Sequence, residues 1–343
     1  MNFLYTAHIN LTSDSEAVLH LTSRIFFTQS QYMSLRNFII KSVLLRRKKK
    51  WNKRLQGSFP TVEAMRKWLD ELTARFEMPE GISIKKLNVD GIETEWMIPP
   101  NAHANEIIFY LHGGGYCMGS IDNYRAFVAK LALESGSKVL IINYSLAPEK
   151  PYPAALEDSL KIYQWLNENG YRSVSIVLAG DSAGGGLVLS TMLAARDRGI
   201  VLPAGAVLLS PLTDLACTGD SFYENDKKDP VLSADIVAGI GKWYAGDIPL
   251  DDPRVSPLYA DFTHMPPMLI QVGTSEILLN DSTRLASRAK DAGVEVEIDI
   301  WQGQMHVWQM LWNELSEAEK AIEKIGSFTR QRFGQGRILY HEA

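Results

Sequence analysis

The stretch that most limits the fold is Ser175 to Leu189, SIVLAGDSAGGGLVL. An apolar run of strand type, Ser175–Ala179, breaks into Gly180-Asp181-Ser182-Ala183-Gly184, and an apolar stretch of helical character follows. A chain that passes from strand to helix in so few residues brings its own backbones into close approach. Gly180 and Gly184 supply the missing Cβ atoms on either side of Ser182. The serine is then held up at the sheet edge, and the new helix aims free N–H groups and its positive dipole end at the same spot. This is the G-x-S-x-G pattern in the context that makes it a nucleophile elbow.

The surrounding chain alternates in the way such an elbow requires. Strands are expected at Ile82–Val89, Ile92–Ile98, Ile107–Leu111, Lys138–Asn143, Ser175–Ala179, Ala206–Leu209, Met268–Val272 and Val294–Trp301. Helices are expected around Asn123–Glu134, Ala154–Asn167, Ser182–Arg198, Ser282–Ala292 and Asn313–Phe333. The first two strands are close enough for a hairpin at Asp90-Gly91, and the rest reads as a parallel α/β sheet. Between Leu212 and Pro266 no strand is evident. A polar loop (Thr218 to Asp229), a helical piece (Ser233 to Tyr244) and a Pro/Asp-rich return form an insertion placed to cover the strands' carboxyl ends.

Ahead of the sheet, Phe38, Ile39, Val43 and Leu44 make an apolar stripe, followed by the basic run Arg46–Arg54 (RRKKKWNKR). Val62, Met65, Leu69, Leu72 and Phe76 then recur at helical spacing. The basic run holds seven positive charges; with a net charge of -5, the rest of the chain carries -12. Such a stretch can mark a membrane surface or an acidic partner, but a solvated helix face is the favoured reading. The acidic remainder gives no sign of a nucleic-acid protein. No apolar run approaches the roughly 18 residues of a membrane span. Two cysteines, Cys117 and Cys217, are too few for a disulfide framework and suit a reducing, cytoplasmic compartment. Met1 to Leu35 lacks the continuous apolar core of a signal peptide. Ser13 to Glu16 could cap a short helix through Phe27, and Met1 to Gln31 is an extension of unknown use.

A serine hydroxyl is a poor nucleophile unless a base takes its proton, an acid orients that base and donors receive the oxyanion. Downstream of Ser182 the histidines are His264, His306 and His341. His341 is two residues from the end, and His264 sits in a turn before the Met268 strand. His306 follows a strand in a loop just ahead of the last helix, where a base is needed. Glu276 is the first carboxylate beyond the Met268–Val272 strand. Asp281 is the second candidate, although it could instead be a helix N-cap. His112-Gly113-Gly114-Gly115 directly follows Ile107–Leu111, and its glycines leave backbone N–H groups unobstructed for an oxyanion. His112 lies upstream of Ser182, in the wrong order to be the base, and is read as structural. Tyr116, Met118, Phe222 and Trp243 could line a pocket or equally belong to the core.

Taken together, HGGGYCMGS (112–120), YSLAPEKPYPAALED (144–158), GDSAGG (180–185), PP-x-L-I-x-V-G (266–273) and His306 resemble the hormone-sensitive-lipase family of α/β-hydrolases, whose bacterial members are carboxylesterases. The likeness runs from about Leu35 to the C-terminus. It implies an α/β-hydrolase fold with an eight-stranded, mostly parallel sheet flanked by helices and carrying a helical cap. The division would be an extension over 1–32, cap helices over 33–76, core over 77–211, a cap insertion over 212–250 and core again over 251–343. It implies cofactor-free hydrolysis of small short-acyl esters, with Ser182, Glu276 and His306 catalytic and Gly114, Gly115 and Ala183 as oxyanion donors. The family's acid motif often reads Asp-Pro-Leu or carries an Asp-Glu pair; here it is Ser275-Glu276-Ile277. Ser145 stands where the signature usually has Arg. The same machinery opens lactones or hydrolyses amides, and relatives that lose a triad member act as small-molecule receptors. The oligomeric state stays open, with a homodimer as one option.

Overall fold

The computed structural model describes residues 34–55 and 57–341, with side chains to residue 335. The Ser13–Glu16 capping motif and its short helix lie outside the described residues. In chain order the elements are α1 (Leu35–Leu55), α2 (Val62–Thr73), β1 (Ser83–Val89), β2 (Ile92–Ile98), β3 (His103–Leu111), α3 (Ile121–Ser135), β4 (Ser137–Ile142), α4 (Ala154–Glu168), β5 (Ile176–Asp181), α5 (Ala183–Asp197), β6 (Gly205–Leu209), α6 (Asp220–Glu224), α7 (Ala234–Ala245), β7 (Met268–Gly273), α8 (Leu279–Asp291), β8 (Val296–Trp301) and α9 (Ser316–His341). No strand falls between β6 and β7, where the sequence breaks its rhythm.

The eight strands form one sheet in the order β1-β2-β4-β3-β5-β6-β7-β8. β1 and β2 are antiparallel and meet at a tight turn where Asp90 and Gly91 both take positive φ, 51° and 92°. That is the geometry for which Asp-Gly is suited. β2 also runs antiparallel to β4, and every pairing from β4 through β8 is parallel.

The inner strands are apolar on both faces, as a sheet covered twice demands. Ile107, Phe109 and Leu111 of β3 join Ile176, Leu178, Ala206 and Leu208 in the layer shared with α4, α5 and α8. Their neighbours Ile108, Tyr110, Val177, Ala179, Val207 and Leu209 point the other way, into the layer with α3 and α9. Each fully buried aliphatic or aromatic chain here contributes about 1.5–3 kcal/mol. Two sandwiched layers therefore hold the strand ends in fixed register.

The helices at the chain start attach differently. α2 begins with Thr61 accepting from the Ala64 N–H at 3.3 Å, and it buries Val62, Met65 and Leu69. α1 is one continuous helix through the basic run, and its apolar stripe turns outward: Phe38, Ile39 and Val43 are exposed. Its inner side is made by Asn37, Ile40 and Leu44, with Lys41 and Lys48 reaching polar groups beneath.

Candidate active site

β3, β5, β6, β7 and β8 are consecutive neighbours in the sheet, and the loops from their carboxyl ends meet at one place. Open parallel sheets bind ligands there. At the end of β5, Ser182 takes φ 51° and ψ -122°, a strained conformation of the kind stored at functional sites. The strain is held by three backbone bonds: Ser182 N–H donates to Leu209 O (2.8 Å), while its carbonyl accepts from Leu212 (2.8 Å) and Gly186 (3.2 Å). A Cβ on Gly180 would come to 2.5 Å of the Gly184 carbonyl, and one on Gly184 would strike the carbonyls of Leu111 and His112. The two glycines are thus the contact between the Ser182 turn and the His112–Gly115 loop.

That loop is tied down by a buried carboxylate. Asp181 accepts from Tyr110 Oη (2.7 Å), Tyr124 Oη (2.9 Å) and Gly113 N–H (2.9 Å). Burial pushes its pKa up, and these donors pull against that rise. His112 is buried, with Nδ1 2.7 Å from the Gly113 carbonyl and its ring stacked on Tyr144 at 4.2 Å and Tyr124 at 5.5 Å. Burial lowers its pKa to about 4, so it is a neutral strut. Tyr144, from the 144–158 signature, donates to the His112 carbonyl (2.7 Å). Gly114 and Gly115 adopt positive φ, 112° and 62°, and the Gly114 carbonyl is used by the Cys117 and Met118 N–H groups. Among the described residues no acceptor takes the N–H of Gly114 or Gly115. Ala183 opens α5, where the first N–H groups have no partner within the helix.

The loops that carry Glu276 and His306 lie side by side. Gly273 allows it, since a Cβ there would meet the Gln304 carbonyl, and the Ser275 N–H donates to that same carbonyl (3.1 Å). His306 Nδ1 lies 3.0 Å from Glu276 Oε2. The other oxygen, Oε1, accepts from Ser210 Oγ (2.8 Å) and the Gly273 N–H (2.5 Å). Glu276 is fully buried, which pushes its pKa up, against the pull of His306. For His306 burial acts downward, but the Glu276 hydrogen bond and charge, helped by Asp229 and Asp181, outweigh it and leave the imidazole raised.

Ser182, His306, Gly114 and Gly115 all line one apolar cavity of about 140 Å³, walled by Leu69, Leu72, Leu212, Val237, Ile240 and Met310. An adjoining chamber of about 340 Å³ shares Leu44, Trp68, Leu72 and Met118 and extends under α1.

Asp281 makes no hydrogen bond to His306 among the described residues and is not the N-cap of α8, which is Leu278. It sits in the first turn of α8, and its carboxylate accepts from the N–H groups of Thr213 (2.7 Å) and Asp214 (2.9 Å), pinning the start of the insertion. His264 is exposed in its turn, and α9 runs to His341. Of the four suggested pocket residues only Met118 lines the cavity; Tyr116 stacks on Tyr244 at 3.7 Å in the core. Sequence reasoning missed Ser210, Asn225, Asp229 and Lys41, which hold the Glu276 loop from outside it. Asn225 donates to the Glu276 carbonyl (2.9 Å), Asp229 Oδ2 accepts from the Ile277 N–H (3.1 Å), and Lys41 donates to Ser275 Oγ (2.5 Å).

The alpha/beta hydrolase fold family matches residues 108–310. An esterase from Acinetobacter venetianus is 36% identical over 266 residues, 77% of this chain and 88% of that protein. An acetyl-hydrolase from Streptomyces hygroscopicus is 39% identical over 243 residues, covering 71% of this chain and 81% of the relative. Among solved structures, an esterase of the bacterial hormone-sensitive lipase family superposes with a TM-score of 0.82 at 37% identity, over 88% of this chain and 99% of the other.

Proposed function

Since the chain belongs to the hormone-sensitive-lipase family of α/β-hydrolases and is a carboxylesterase, we propose that Ser182, His306 and Glu276 are its triad and that its substrates are short-acyl esters. The observation that carries the assignment is the 3.0 Å contact between His306 Nδ1 and the buried Glu276 carboxylate, in the wall of the cavity that also holds Ser182. A carboxylate on Nδ1 fixes the tautomer that leaves Nε2 free to accept a proton, and it stabilises the imidazolium that results.

In the first half-reaction Ser182 Oγ attacks the ester carbonyl while His306 takes its proton. The N–H groups of Gly114, Gly115 and Ala183 receive the oxyanion, the last of them at the positive end of α5. His306 then protonates the departing alkoxide. Water, activated by the same imidazole, releases the acid from the acyl-enzyme. These steps use only the named groups and water. The acetyl-hydrolase relative and the small apolar cavity support short acyl groups. We assign residues 33–76 and 212–250 to a cap over the strand ends, and the cytoplasm as the site of action.

The test is hydrolysis of 4-nitrophenyl esters from acetate to palmitate by wild type, Ser182→Ala and Glu276→Gln. Ser182→Ala should lose several orders of magnitude in rate with its fold intact, and Glu276→Gln roughly 10²–10⁴. Normal turnover in Glu276→Gln would remove that residue from the triad.

A further inference from the structure

Four of the ten large apolar side chains left exposed among the described residues lie on α1: Leu35 at 75%, Phe38 at 55%, Ile39 at 52% and Val43 at 47%. At 3.6 residues per turn they share the outward half of the helix, opposite Asn37, Ile40 and Leu44. The same outward face continues with Arg46, Lys49 and Lys53, all exposed, and no carboxylate pairs with them among the described residues. One helix face is therefore apolar over its first turns and cationic over its last.

A solvated face accounts for the cations but not for Phe38 and Ile39. An acidic protein or nucleic acid matches only the charge. An anionic lipid surface offers both, hydrocarbon just beneath a layer of negative headgroups, and amphipathic helices seat in it in this way. The charge of the whole chain points the same way. The basic run carries seven positive charges against -12 elsewhere, so a negative surface attracts α1 and repels the remainder. No described helix is long and apolar enough to cross a membrane, so attachment would be peripheral.

The inner side of the same helix helps to wall the site. Leu44 lines the cavity at Ser182, and Arg47, Lys48 and Trp51 line the chamber that adjoins it. We propose that the outward face of α1 docks this esterase on anionic lipid surfaces.

The test is flotation of the full chain with vesicles of phosphatidylcholine alone and of phosphatidylcholine mixed with phosphatidylglycerol. Binding is expected to the mixed vesicles only, and raised salt should release it. Combined Arg46→Glu, Lys49→Glu and Lys53→Glu should weaken partitioning on the order of 100-fold. Phe38→Ser with Ile39→Ser should also abolish it. Both variants should turn over a soluble butyrate ester at the wild-type rate, which keeps docking separate from the catalytic assignment. Absence of binding to anionic vesicles, or equal binding by the variants, overturns the proposal. So does a dimer that the apolar variant converts to monomer, since that gives the face to a second copy. Loss of stability in that variant without vesicle binding instead gives the face to the chain's own N-terminal residues.

Discussion

The Glu276 carboxylate lies where water does not reach it, so the groups around it decide how strongly it acts on His306. Three donors favour its ionised form: Ser210 Oγ, the Gly273 N–H and His306 itself. The resulting charge keeps the His306 pKa raised although burial works against it. A general base must be deprotonated to act, so a raised pKa moves the acid limb of kcat/KM upward, above the ordinary histidine value of about 6.5. In Glu276→Gln the charge is gone and burial acts unopposed by it, so in the residual activity that limb should shift to lower pH. Asp229 is a second buried carboxylate acting on the same imidazole, and its Oδ2 holds the Ile277 N–H beside Glu276. Asp229→Asn should therefore shift the limb in the same direction by less, with kcat falling more than KM changes. A pH–rate profile of the three proteins reads both effects. A limb that stays put in Asp229→Asn would reduce that residue to a structural ligand of its loop.

At the scale of elements, α1 grips the acid loop and the insertion together. Lys41 reaches Ser275 beside Glu276, and Lys48 donates to the carbonyls of Asp226 (2.6 Å), Asp229 (3.0 Å) and Leu232. Removing a donor from a buried acceptor costs roughly 1–3 kcal/mol. A chain lacking residues 1–31 should keep full turnover, because none of the residues proposed for catalysis lies there. One lacking residues 1–55 should lose at least about tenfold in kcat/KM and melt at lower temperature, since several such acceptors and part of the cavity wall are exposed together. Equal activity of the two truncations would show that α1 does not support the acid loop. The same helix marks where the sequence stops being legible. Ser182, Glu276 and His306 each follow a strand by local pattern, and strand alternation is itself local, so the sheet and the three residues could be read in order. α1 has apolar residues on two sides, Ile40 and Leu44 on one and Phe38, Ile39 and Val43 on the other. Only tertiary contacts choose between them. Ser210, Asn225 and Asp229 act on the acid loop from 66, 51 and 48 residues away in sequence, through single hydrogen bonds that leave no periodic trace.

At the scale of the whole molecule, no single element builds the substrate cavity: α2, the glycine loop, the insertion and the loop after His306 each give one wall. Its size sets an upper bound on the acyl chain. While the cavity fills, each added methylene should raise kcat/KM about fourfold, the equivalent of ~0.8 kcal/mol of apolar transfer. The gain should stop when the space at Ser182 is used. An apolar cavity of about 150 Å³ accepts a molecule the size of benzene, so the roughly 140 Å³ here should be full near a six-carbon chain. Leu72 stands on the boundary, lining both this cavity and the larger chamber beyond it. Leu72→Ala should open one into the other and move the optimum to longer chains, while acetate turnover changes little because its methyl group does not reach that wall. The series of 4-nitrophenyl esters measures this directly as kcat/KM against chain length. An unchanged optimum in Leu72→Ala would mean that the acyl chain leaves the serine in another direction, and that this cavity receives the alcohol side of the ester instead.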